Sequence, residues 1–162
     1  MCDYKPSNFK STIFAILVAL ISLAVSNSAY AHGGGPVYEK RHVYMNELGD
    51  IMKAFGKFVK RGEGDLADLV QKATRIIELA PELPSHFPPD TGLNHNKESQ
   101  AKPIIWEKWD DFTSASERLV DLGTGLKAAF SSEDEAQIST AVKQMGEEGC
   151  RACHSKFRIK KN

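Results

Sequence analysis

The chain is short of the residues that most often carry chemistry. It has three cysteines, Cys2, Cys150 and Cys153, and only the last two stand close together. A zinc site needs four ligands, usually as two separated pairs. No second pair is present, and His32, His42, His86 and His95 show no ligand spacing. Strand-type alternation is also missing, which removes the β-α-β setting of a thioredoxin-like dithiol. The charges balance, with 21 basic and 21 acidic residues. That gives no basic footprint for nucleic acid. His32-Gly33-Gly34-Gly35 occurs without the G-x-S-x-G elbow an esterase would need. No nucleophile with a base, and no second cofactor site, can be picked out. The expectation is a binding or carrier protein, not an enzyme.

Long apolar runs are lacking too. The longest, Ile13 to Val25, is too short to span a bilayer comfortably. It follows Lys5 and Lys10 and precedes Ala29-Tyr30-Ala31, the arrangement of a secretory signal cut after Ala31. An uncleaved N-terminal anchor is the alternative. Cleavage removes Cys2, leaves no stable membrane anchor, and yields residues 32–162 as one domain. The expected location is the periplasm.

What the chain does contain is Cys150-Arg151-Ala152-Cys153-His154. C-x-x-C-H is the attachment signature of c-type haem: two thiols bond the porphyrin vinyl groups and the histidine ligates iron. On a helix, Cys150 and Cys153 lie nearly one turn apart and His154 a full turn from Cys150. All three can then reach one flat macrocycle. A local disulfide would leave His154 unexplained.

The remainder reads as helix. Met45, Leu48, Met52, Phe55 and Val59 recur at spacings of 3 and 4, and Arg41 extends that stripe backwards. Gly62-Glu63-Gly64 ends this helix and Asp65 can cap the next, whose stripe runs from Leu66 to Ala80. A proline-rich stretch from Pro81 to Pro103 then excludes a helix interior and predicts a crossover, with His86 and His95 in solvent. The third helix is expected from Pro103, burying Ile105, Trp109, Phe112, Leu119, Leu122, Leu126 and Phe130. Ser132 and Glu135 form a capping-box pattern ahead of the fourth, which runs through the cysteine motif to Phe157. The predicted fold is all-α, an antiparallel four-helix bundle. Basic residues gather at the end of the last helix. They complement its macrodipole and also offer a surface to an acidic redox partner.

Function turns on the iron position opposite His154. Met45 is a soft donor suited to it, although a methionine on an apolar stripe also serves as core filler. His42 is a weaker alternative. The chain resembles the cytochrome c-prime family of class II c-type cytochromes. The likeness rests on Arg41-x-x-x-Met45, the proline-rich crossover, Pro103-Ile104-Ile105-Trp106 and Cys150-x-x-Cys153-His154-x-x-Phe157-Arg158. It implies haem held by the last helix and covered by the first. Residue 45 would face the iron, Arg41 would lie near the propionates, Trp106 near the pocket and Arg158 near His154. Methionine at that position resembles the low-spin branch; the gas-binding branch carries an apolar non-ligand there. Many members pair as homodimers through their first two helices. The reading is a periplasmic electron carrier with one covalent haem c, ligated by His154 and Met45, serving periplasmic redox partner proteins. The alternatives are a high-spin protein binding nitric oxide or carbon monoxide at an open sixth site, and a haem-bearing subunit of a larger oxidoreductase.

Overall fold

Helix α1 spans Pro36–Arg61 in the computed structural model, which describes residues 35–160. The expected secretory signal and its expected cut lie outside the described residues. Pro36 suits a first helical turn, where its missing N–H costs nothing. Gly62 ends the helix in the left-handed conformation, φ 66°, and its N–H donates to the Phe58 carbonyl. The buried seam is Arg41, Tyr44, Ile51 and Phe55, with Leu48 and Phe58 partly covered. It is offset by about one residue from the expected stripe: Met45 and Met52 sit on its shoulder, and Val59 is 39% exposed. Two apolar rows overlap on this helix. Phe55 belongs to both, and the row with Phe58 in place of Val59 wins because that ring joins Phe55 against Phe130, at 5.8 and 4.9 Å between centroids.

Helix α2, Leu66–Leu79, is capped by Asp65, whose carboxylate accepts from the Asp68 N–H at 3.0 Å. The crossover begins with a 3₁₀ helix, Ala80–His86, where the proline density predicts irregular chain. Prolines at its start and within it are compatible with that tighter turn. His95 is exposed as expected, but His86 is half-covered, its ring 4.3 Å from that of Tyr44.

The third helix is broken. A single turn, α3 (Ile104–Glu107), is followed by Lys108 at φ −127°, ψ 54°, and then by α4, Trp109–Ser132. One non-helical residue resets the helical phase, so Ile105 and Phe112 stay buried while Trp109 is 36% exposed. The cap of the next helix also differs from the expected Ser132–Glu135 pair. Ser132 still belongs to α4, Glu133 turns the corner at φ 57°, and Asp134 accepts from the Ala136 and Gln137 N–H groups. Helix α5, Glu135–Gln144, passes into a π-helical segment, Met145–Arg151, and then α6, Ala152–Phe157.

Short turns join α1 to α2 and α4 to α5, and the long crossover links the two pairs. Helix α2 packs chiefly along α4, and α1 against α5. These four layers form the bundle. The crossover is stitched to the chain end: Lys102 N–H donates to Phe157 O and Ile159 N–H to Gln100 O, both at 2.9 Å. Among the described residues no helix is long and apolar enough to cross a membrane.

Candidate functional site

A cavity of about 350 Å³ opens between α1, the crossover and α6. Helix α1 contributes Arg41, His42 and Met45, spaced to share a face. Helix α6 contributes Cys153, His154 and Phe157, followed by Arg158. Phe87, Ile105 and Phe112 complete apolar walls. A wider groove of about 650 Å³ lies between α1 and α2, but Asp, Glu, Lys and Arg side chains dominate it. It holds no thiol, thioether or imidazole, so the chemistry belongs to the smaller cavity.

The structure therefore brings together Arg41, Met45, Cys153, His154 and Arg158. Cys150 is half-buried against the core in the π-helical segment and does not line the cavity. Trp106 does not line it either. Its Nε1–H donates to the Phe87 carbonyl at 3.0 Å and its ring covers Gly92, so the indole serves the crossover while its neighbour Ile105 faces the cavity. Met52 is half-buried outside the cavity, and Met145 is buried against Gly149 behind the motif.

Burial raises the pKa of both thiols, and with Cys150 beside it Cys153 is pushed up to about 11. Both are S–H groups at neutral pH. The His154 side chain is reachable from solvent, yet the surrounding protein desolvates it. That desolvation, and then the positive charge of Arg158, lower its pKa. A neutral imidazole keeps a lone pair for a metal.

Arg41 is 7% exposed, and burial lowers its pKa. Its Nε–H donates to His86 O at 2.9 Å, Nη1 to Thr91 O at 3.1 Å and Ser99 Oγ at 3.3 Å, and Nη2 to Thr91 Oγ1 at 2.6 Å. The guanidinium also stacks 4.1 Å over the Phe87 ring. None of these partners is a carboxylate. The cation at the cavity wall is thus held by uncharged groups, and Glu98 is a carboxylate lining the same cavity.

Two thiols and an imidazole on one helical run, a thioether on the helix across the cavity, apolar walls and a guanidinium held by uncharged groups fit a covalently attached haem. Phe87 and Ser99 were not legible as site residues. A phenylalanine embedded in His86-Phe87-Pro88-Pro89, an otherwise turn-forming stretch, is the signal that could have marked the first.

A family model described as Cytochrome C′ matches residues 37–158. Cytochrome c-556 of Agrobacterium fabrum (strain C58) is 32% identical over 146 residues, covering 88% of this chain and 92% of that one. Two solved structures share the fold. One is cytochrome c′ from Rhodobacter spheriodes, with TM-score 0.71 and 23% identity, covering 80% of this chain and 100% of that one. The other is a nitric oxide complex of a variant cytochrome c prime from Alcaligenes xylosoxidans, with TM-score 0.66 and 20% identity, covering 79% and 98%. With this match over the whole bundle and the C-x-x-C-H motif in place, the chain belongs to the cytochrome c′ family, whose single covalent c-type haem its cysteines fit.

Proposed function

We propose that this protein is an exported electron carrier of the periplasm in which His154 and Met45 are the two axial ligands of the iron. The observation that carries the reading is that both side chains line one cavity from different helices. When bound, a c-type haem supplies a one-electron iron couple whose potential methionine–histidine ligation raises. Met45 offers the soft thioether and is half-buried against the core, so little ordering is left for it to undergo. His42 lines the same cavity but is exposed. Phe87, Phe112 and Phe157 line one wall of that space with apolar rings, and Arg41 and Arg158 supply positive charge at its edge.

Gas binding is the second reading. It is favoured by the open side of the cavity and by the nitric oxide complex of the fold neighbour. Absorption and spin state of the haem-loaded protein, with carbon monoxide titration, separate the two. The expected result is a low-spin oxidised protein with a methionine-to-iron charge-transfer band that vanishes in Met45→Ala, which then binds carbon monoxide readily. A high-spin wild type that binds the gas rapidly overturns the carrier role. A mature N-terminus at His32 is the corresponding expectation for export. Pairing of two copies through α1 and α2, where Val43 is 67% exposed, belongs to the same proposal and is checked by sedimentation.

A further inference from the structure

The crossover touches both helices that carry the proposed ligands, and it does so through different bonds. On one side Arg41, one turn before Met45, holds His86, Thr91 and Ser99 with four of its five N–H groups. On the other side Gln100, Ala101 and Lys102 pair with Phe157, Arg158 and Ile159, which begin three residues after His154. Ser99 links the two ends: its Oγ accepts from Arg41 and from the Ala101 N–H and donates to Thr91 O. The Lys102 ammonium adds bonds to the Ser155 and Lys156 carbonyls, and the Arg158 Nε–H donates to Gln100.

We infer that Arg41 is a positioning residue: through the crossover it sets the separation between the Met45 helix and the His154 helix, and so governs access to the sixth iron position. The coupling to ligation rests on the Met45 reading; the mechanical brace does not. With one N–H left and a phenyl face beneath it, the guanidinium is oriented by uncharged groups of the loop. Were Arg41 only a partner for a haem carboxylate, its bonds to Thr91 would have no bearing on the far end of the loop.

Thr91→Val tests this, because Thr91 does not line the cavity and Arg41 stays in place. Hydrogen exchange is followed on the haem-loaded full-length protein at the Lys102 and Ile159 amides, which lie on the His154 side. Both amides should exchange at least roughly ten-fold faster, since the variant loses the charge-assisted bond from Arg41 together with the Thr91 Oγ1–H bond to the Pro88 carbonyl, which Arg41→Lys leaves in place. Carbon monoxide affinity should rise by a similar factor. Thr91→Ser, which keeps the hydroxyl, should restore both, and Arg41→Lys should act in the same direction as Thr91→Val. If Arg41→Lys does not accumulate, the two Thr91 variants decide alone. Unchanged exchange at Ile159, acceleration confined to residues 86–99, or no rescue by serine overturns the brace. Faster exchange with unaltered gas affinity overturns its control of the sixth position. A five-coordinate wild-type iron would remove the Met45 reading, and the exchange pattern would still decide the brace.

Discussion

Gly146 and Gly149 stand three residues apart in the π-helical segment that leads into the cysteine motif, and alanine should be the costlier change at Gly149. At Gly146 an added Cβ meets nothing within 4 Å. At Gly149 it would come within 2.9 Å of Leu119 Cδ2, 3.0 Å of Met145 Sδ and 3.2 Å of Leu122 Cδ1. Both substitutions remove the same backbone freedom, worth about 0.5–1 kcal/mol of stabilisation in a helix. Only Gly149→Ala adds overpacking, which costs about 1–3 kcal/mol. Because the backbone contribution cancels, the difference between the two variants isolates that packing cost. For a domain of this size it is a gap in Tm of roughly 3–12 °C. Thermal or urea unfolding of the haem-loaded protein measures it. Gly149 holds the residue next to Cys150 close to Leu119 and Leu122 of α4, so its alanine variant should attach haem less efficiently. If Gly149→Ala is as stable as Gly146→Ala, the close approach of the motif segment to α4 is wrong.

Phe130→Ala should cost about 3–5 kcal/mol, since the ring is fully buried between Phe55 and Phe58. Val59→Ala on the exposed shoulder of α1 should stay within about 0.5 kcal/mol by the same unfolding assay. The Asp111 carboxyl is held below its usual range, first by its hydrogen bond with Lys156 and then by that residue's charge, in a 2.7 Å pair joining the start of α4 to α6. A depressed carboxyl stabilises the fold above its unfolded pKa, and this support is lost as pH falls through the folded one. Unfolding midpoints should therefore decline below about pH 4 in the wild type, and less steeply in Asp111→Asn.

The helices were legible because periodicity is a local property. The runs from Leu66 to Ala80 and from Phe112 to Phe130, the stop at Gly62 and the cap at Asp65 are each written in adjacent residues. The deviations have tertiary causes. Val59 gives way to Phe58 because Phe130, far along the chain, offers a ring. Trp109 turns outward because one non-helical residue, Lys108, breaks phase. Asp134 displaces Ser132 as cap because α4 continues two residues past the last apolar residue of its pattern, Phe130. Trp106 stands beside the cavity, its indole bonded to the carbonyl of the lining residue Phe87, a partner that no helical spacing reveals.

The motif itself, two thiols and a histidine within five residues, was determined by the sequence alone, because c-type attachment depends on spacing along one helix. So were the bundle and the separation of a methionine-bearing first helix from a histidine-bearing last one. Only the tertiary structure decided that Met45 and His154 share a cavity, and that Arg41 grips a loop instead of waiting for a counter-ion. Those facts depend on hydrogen bonds between residues forty to sixty positions apart. Such bonds form only when the crossover is laid across the end of the helices, and no short stretch of chain encodes them.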